Sequence, residues 1–128
     1  MRNNTKEKIL FTIVGNHDPY SGEDLGPVLS FISNVDFSRI FLFCTGPGYF
    51  ERAKTIEQEF ASISPSAKFS FISLELKSVI DYDEIFLKIK SAAIKIVENL
   101  NQEEIDISIL LDPGTPQMQT CWFLLARS

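Results

Sequence analysis

Short apolar runs alternate along this chain with longer stretches in which apolar residues recur every three or four positions. The short runs are rich in β-branched and aromatic residues and are bounded by turn-forming residues, which is typical of buried strands. They predict four strands, at residues 9–14, 39–45, 68–74 and 105–111. The longer stretches have the spacing of helices that bury one face.

Helix starts can also be read from the sequence. Pro27 suits the first position of a helix, and Asp81 with Glu84 three residues later is a capping pair that predicts the start of another helix. Thr115 followed by Pro116 predicts the start of a fourth helix. The predicted inner faces, in chain order, are Val28, Leu29 and Ile32; Tyr49, Ala53, Ile56 and Phe60; Ile85, Ile89, Ala92, Ala93, Ile96, Val97 and Leu100; Met118, Cys121, Trp122 and Leu125.

Strands separated by helices predict a parallel sheet with right-handed crossovers. We therefore expect an α/β fold, a Rossmann-like three-layer sandwich whose mainly parallel sheet has strand order 3-2-1-4 and helices on both faces. Ligands of such sheets bind beyond the carboxyl ends of the strands where the strand order reverses, here between strands 1 and 4. The loops that meet there are residues 15–18 and 112–117, both rich in Gly, Pro and small polar residues.

The size and charge of the chain limit its organisation and partners. At 128 residues and 45% hydrophobic content, residues 1–128 are expected to form one domain. The chain stops in or just after a predicted helix, so we expect it to be the N-terminal part of a longer protein. Its net charge of -5 gives no general attraction for nucleic acid or anionic membranes. No stretch is long enough to span a bilayer and no signal peptide is evident, so a cytoplasmic protein is expected.

The cysteines and the histidine exclude a structural zinc site. Cys44 and Cys121 each lie in an apolar segment, which predicts reduced core thiols, and His17 is the only histidine. Burial in an apolar strand is expected to raise the pKa of Cys44, which makes it a poor nucleophile. No metal or cofactor is expected.

The loop before the fourth helix has features that suit an anion or a nucleotide. Gly114 lets the backbone approach a ligand, Thr115 offers a hydroxyl, and the amides of Gln117 and Met118 lie at a positive helix end. A structural role is the alternative, in which Thr115 only caps the helix and Pro116 only starts it. The residue pattern alone favours that structural role.

Two other loops carry residues that could form a site. His17 next to Asp18 could be an acid–base pair, but an ordinary turn beginning at Asp18 is the favoured interpretation. The segment 45–48, Thr-Gly-Pro-Gly, is a weaker phosphate-loop candidate because no Walker lysine follows it. Arg52 and Lys54 are nearby basic residues, for which a solvated helix face is the simpler explanation.

The chain resembles a known family at residues 114–118, Gly-Thr-Pro-Gln-Met. An apolar strand that runs into this segment resembles the signature of CARF domains, the CRISPR-associated Rossmann-fold sensors of cyclic oligoadenylates. Residues 121–125, Cys-Trp-Phe-Leu-Leu, resemble the equivalent helix of the CARF-type domain of RtcR-like sigma-54-dependent regulators. Residues 14–20 are also similar to N-terminal sensor domains of such activators. Element order matches over nearly the whole chain.

The resemblance implies a ligand-sensing domain whose ligand lies across the two-fold axis of a dimer, on the loops after strands 1 and 4. Trp122 and Phe123 lie on adjacent faces of the fourth helix, so one ring could contact a partner chain. Asp112 departs from the small polar residue of many relatives, which leaves other RNA ends or nucleotides as possible ligands. The candidate ligand-binding residues are Gly15, Asn16, His17, Asp18, Thr45, Gly114, Thr115, Pro116, Gln117 and Met118.

Three functions remain open on this basis. The leading one is a sensor that binds a cyclic oligoadenylate or a related RNA-derived nucleotide and controls a C-terminal effector, either a sigma-54-type transcription activator or a ribonuclease. The second is a metal-independent ring nuclease, in which Thr115, His17 or Gln117 positions a 2'-hydroxyl for attack on the adjacent phosphate. The third is a partner-binding domain without a small ligand.

Overall fold

The structure is a computed structural model that describes residues 7–15, 18–61, 67–78, 80–100 and 105–110. Strands and helices alternate along the chain apart from one short hairpin near the N-terminus. The elements are β1 (Glu7–Ile13), β2 (Tyr20–Ser21), β3 (Asp24–Leu25), α1 (Pro27–Asn34), β4 (Arg39–Cys44), α2 (Pro47–Ala61), β5 (Lys68–Ser73), α3 (Tyr82–Glu98) and β6 (Ile105–Leu110).

The four longer strands form one parallel sheet in the order β5-β4-β1-β6. Phe11 in β1 lies beside Phe41 in β4 on one side and beside Ile109 in β6 on the other. This is the predicted order 3-2-1-4, because β1, β4, β5 and β6 are the first to fourth predicted strands. The α/β fold and the reversal of strand order between β1 and β6 are therefore confirmed.

The hairpin of β2 and β3 was not among the four predicted strands. Tyr20 pairs with Leu25 and Ser21 with Asp24 in antiparallel fashion. Gly22, at the tip, has a φ of 65°, a conformation that glycine adopts at no steric cost. Two-residue strands are too short to show an alternating pattern of apolar and polar residues, so the sequence pattern does not predict them.

One face of the sheet packs against α3. The rings of Phe11 and Phe41 meet edge to face with centroids 5.4 Å apart, and Phe11 also contacts Phe43 at 5.7 Å. The helix contributes the buried side chains of Ile85 and Ile89. The aromatic residues of the two central strands are therefore gathered on this side.

The opposite face packs against α1 and α2. The central strands β1 and β4 contribute aliphatic side chains and a thiol here, among them Leu10, Leu42 and Cys44, all fully buried, and β5 contributes Phe69 and Phe71. The predicted inner faces of both helices are confirmed as buried, except that Tyr49 is only half-buried. The buried helix residues are Val28, Leu29, Ile32, Ala53, Ile56 and Phe60.

The predicted starts of α1 and α3 are confirmed with one difference. Pro27 occupies the first position of α1, and Asp81 caps α3 by accepting a hydrogen bond from the Glu84 backbone N–H. The Glu84 carboxylate does not complete a capping box with Asp81; it accepts the N–H groups of Lys77 and Ser78 instead. The start of α3 is thus tied to the segment that follows β5.

The predicted fourth helix lies outside the described residues, and so do Thr115, Cys121, Trp122 and Phe123. The dimer contact proposed for its aromatic rings therefore stays a prediction. Among α1, α2 and α3, none combines the length and the apolar composition required to cross a membrane.

Cys44 ends β4 and is fully buried, as predicted. Its Sγ lies 3.7 Å from the Tyr49 carbonyl oxygen, the geometry of a weak S–H donor. Burial raises the pKa of the Cys44 thiol to about 11 from its ordinary value of 9.0. The thiol is therefore protonated at neutral pH.

We expect Cys44 to be inert toward thiol reagents in the folded protein. In a Cys121→Ser variant it is the one remaining thiol, and a pKa of about 11 leaves about one thiolate in a thousand at pH 8. Its reaction with Ellman's reagent at pH 8 should be slow until denaturant is added. Complete reaction within minutes in native buffer would contradict this placement.

The same shift predicts the pH dependence of stability. Because the folded pKa lies above the ordinary one, the stabilisation linked to the protonated thiol is fully present below pH 9.0 and is lost as pH rises toward about 11. The difference in urea midpoint between wild type and Cys44→Ala should therefore be constant from pH 6 to 8 and shrink above pH 9.

Candidate functional site

The reversal of strand order lies at the carboxyl end of β1. Its neighbours on the two sides are β4 and β6, which pair with it in parallel and end at the same edge. Gly15 follows β1, and Thr45 follows β4. Two of the candidate ligand residues therefore lie at the edge of the sheet where a ligand of this fold class is expected.

Gly15 and Asp18 are joined by two hydrogen bonds. The Gly15 N–H donates to the Asp18 carboxylate at 2.8 Å, and the Asp18 N–H donates to the Gly15 carbonyl at 3.2 Å. These bonds close the short segment that contains the candidate residues Asn16 and His17, which themselves lie outside the described residues. The ends of the loop after β1 are thereby fixed to one another.

Asp18 also serves the start of α1. The residue before the helix is Gly26, which has no side chain to cap it. The other carboxylate oxygen of Asp18 accepts the Val28 N–H at 3.0 Å, so a residue ten positions earlier supplies the acceptor that the helix needs. Asp18 is fully buried.

Helix α2 also contacts Asp18, through the side chain of Arg52. The Arg52 guanidinium donates to the Asp18 carbonyl oxygen at 2.7 Å and is half-buried. The expectation that Arg52 lies on a solvated helix face is therefore wrong, although Lys54 is exposed as expected. No local pattern indicates this contact, because its partners are 34 positions apart.

The hairpin is held to α2 as well. The Tyr20 hydroxyl donates to the Glu59 carboxylate, and that hydrogen bond is the main cause that raises the pKa of Tyr20 above its ordinary value. The peptide bond between Asp18 and Pro19, just before Tyr20, is cis. The segment between β1 and α1 is thus anchored to α2 at two points.

The loop after β4 leads directly into α2. Thr45 and Gly46 are half-buried, and the Tyr49 N–H donates to the Gly46 carbonyl at 3.1 Å. A Cβ added to Gly48 would meet no atom within 4 Å, so the space beside this residue is open. The geometry leaves the first turn of α2 accessible at the edge of the sheet.

The remaining candidate residues, Gly114, Thr115, Pro116, Gln117 and Met118, lie outside the described residues. Their placement beside Gly15 remains a prediction from the direction of β6, which ends at Leu110 opposite Thr12 of β1. Within the ranges that the structure describes, no group of three or more metal-ligating side chains is present.

Two cavities in the described part of the chain lie elsewhere, between β5 and α3. One of about 550 Å³ is lined by residues of both signs of charge, including Glu75, Lys77 and Lys88. A second, of about 430 Å³, continues along the helix past Ser91 and Lys95. Both cavities lie beside β5, which is the edge strand on the opposite side of the sheet from β6.

The family described as Regulator of RNA terminal phosphate cyclase, RtcR, matches residues 25–128. No curated protein sequence matches the chain.

Two solved structures share the fold. Csm6 of Enterococcus italicus, bound to cyclic hexa-2'-fluoro-hexa-dAMP, matches with a TM-score of 0.79 and 21% identity over 94% of this chain and 30% of that chain. Can2 of Sulfobacillus thermosulfidooxidans, in complex with cyclic tetra-adenylate, matches with a TM-score of 0.64 and 16% identity over 94% of this chain and 29% of that chain. The chain therefore spans less than a third of each of these proteins.

The family match covers most of the chain, from β3 onward, and includes the segment that carries the Gly-Thr-Pro-Gln-Met motif. The fold likeness covers nearly all of it. Together they confirm the predicted resemblance, and the chain belongs to the RtcR family, with a CARF-type Rossmann-like fold.

Proposed function

We propose that this domain is a sensor that binds a cyclic oligoadenylate or a related RNA-derived nucleotide at the strand-order reversal and controls a C-terminal effector. The observation that carries the proposal is the parallel sheet ordered β5-β4-β1-β6, which is shared with two proteins solved with cyclic oligoadenylates. The effector is a sigma-54-type activator or a ribonuclease, and the sensor acts as a homodimer in the cytoplasm.

The ligand site combines three loops at one edge of the sheet. Thr45 supplies a hydroxyl group from the loop after β4, and Gly15, Asn16 and His17 belong to the loop after β1. Residues 114–118 complete the site from the loop after β6. Because the net charge is -5, backbone amides and a few polar side chains must provide the attraction for phosphates.

Calorimetric titration of cyclic tetra-adenylate and cyclic hexa-adenylate into residues 1–128 tests the proposal. We expect at least one of the two rings to bind with micromolar or tighter affinity, and linear tetra-adenylate to bind more weakly. Mass spectrometry of the ligand after long incubation separates the two functions, since a sensor returns the intact ring and a ring nuclease returns a linear product. No heat and no thermal shift with any nucleotide would favour a partner-binding domain.

A pair of threonine variants locates the site. Thr45→Val removes a hydroxyl at the ligand edge with little change in volume and should weaken binding roughly fivefold, the cost of one hydrogen bond. Thr55→Val is the matched control, because that hydroxyl donates to the Glu51 carbonyl within α2. Equal affinities for both variants would place the ligand away from Thr45.

A further inference from the structure

Asp18 is a buried acidic residue with no exposed surface. A carboxylate in this position is costly unless its oxygens are bonded. Here each oxygen accepts one backbone N–H, from Gly15 at 2.8 Å and from Val28 at 3.0 Å. The Gly15 donor lies just after β1, and the Val28 donor lies in the first turn of α1. Rossmann-like folds often hold a bound phosphate between these two elements.

We infer that Asp18 is a positioning residue. Its carboxylate occupies the position between Gly15 and the N-terminus of α1 at which a bound anion would otherwise lie. It thereby sets the backbone of the loop after β1 for the ligand. The inference rests on the proposed function for the identity of that ligand. Asp18 then acts on the ligand through Gly15 and not by touching it.

The surrounding contacts fit this role. Arg52 holds the Asp18 carbonyl oxygen from α2 at 2.7 Å, and the Pro19 carbonyl accepts the Gly26 N–H at 2.7 Å. The Val14 N–H donates to the Phe43 carbonyl, which fixes the end of β1 to β4. Asp18 is thus the point at which β1, α1 and α2 are joined beside the proposed site.

This arrangement also limits where ligand phosphates can bind. The N–H groups of Gly15 and Val28 are already bonded to a carboxylate, which repels a second anion at the same place. Among the described residues, the first turn of α2, with open space beside Gly48, remains for the phosphates.

Chemical rescue tests the internal anion directly. In Asp18→Ala the carboxylate is removed, and we expect the melting temperature to fall by roughly 10 °C, because two buried N–H groups lose a charged acceptor. Sodium formate at tens of millimolar should restore part of that loss, whereas sodium chloride at the same ionic strength should not. Asp36→Ala, which removes an exposed carboxylate, is the matched control and should respond equally to both salts.

Ligand affinity separates positioning from stability alone. At 10 °C, where circular dichroism verifies that Asp18→Ala is folded, we expect its affinity for the cyclic oligoadenylate that binds the wild type to be at least about tenfold weaker, and formate to restore it. Unchanged affinity would overturn the positioning role. Absence of formate rescue would overturn the inference that the Asp18 carboxylate acts as an internal anion. Failure of the wild type to bind any ring would instead contradict the proposed function and leave the formate result to decide the internal anion.

Asp18→Asn keeps the test decisive if the alanine variant does not fold. The amide retains one acceptor oxygen but turns a donor toward the second N–H group. Hydrogen exchange followed by NMR should then show faster exchange at either the Gly15 or the Val28 amide than in the wild type. Unchanged protection of both amides would overturn the inference.

Discussion

Gly114→Trp should abolish nucleotide binding while leaving the domain folded. Gly114 belongs to the segment proposed to complete the ligand site, and glycine is suited to close approach between backbone and ligand. An indole there would fill space that the ligand needs, and we expect affinity to fall at least about 100-fold. Calorimetry with the ring that binds the wild type measures the loss.

Two variants control this experiment. Ser33→Trp adds the same ring to the exposed face of α1, away from the ligand edge, and should bind as the wild type does. Gly114→Ala adds a single methyl group and should give an intermediate affinity. Wild-type affinity in Gly114→Trp, with circular dichroism showing a folded domain, would place the site elsewhere and remove the support that the motif gives to the sensor function.

Phe43→Ala should cause the largest loss of stability among single substitutions in the sheet. Phe43 is fully buried in β4 and its ring contacts that of Phe11 with centroids 5.7 Å apart. Removing a buried phenyl ring costs about 3–5 kcal/mol, a large part of the roughly 5–15 kcal/mol that stabilises a domain. Urea unfolding at neutral pH measures the change.

Phe86→Ala is the matched control. Phe86 lies at the margin of the same core, half-buried, with the Lys90 ammonium 5.7 Å from its ring centroid. Because its ring is already partly in water, its removal should cost clearly less than that of Phe43. Equal losses for the two variants would contradict the packing described for the α3 side of the sheet.

The strand order could be predicted because local signals agreed with one another. Four apolar runs separated by helical spacing leave few ways to build a parallel sheet, and Pro27 and Asp81 marked two helix starts correctly. The hydrogen-bond partners of the Glu84 carboxylate could not be predicted in this way. The N–H groups that it accepts, of Lys77 and Ser78, lie in the connection after β5.

The candidate site was predictable as a place but not as a set of contacts. The loop after β1 was identified from its composition and from the strand order. The role of Asp18 depends on Val28 and Arg52, which are distant in sequence and have no pattern that links them to it. An ordinary turn was therefore the favoured interpretation, and the structure replaces it with a buried residue that joins three elements.

In β4 the rings of Phe41 and Phe43 lie on the α3 side of the sheet and the Leu42 side chain lies on the other side, and this separation has a consequence for strand register. A slip of one residue between β1 and β4 would exchange the faces of one strand. Because both faces are apolar, such a slip would expose little polar surface and cost little in burial. It would, however, place Leu42 on the α3 side, beside the Phe11 ring, and the larger Phe43 ring on the α1 and α2 side, in the space that Leu42 fills. Shape, and not hydrophobicity, is therefore what selects the native pairing as the chain folds.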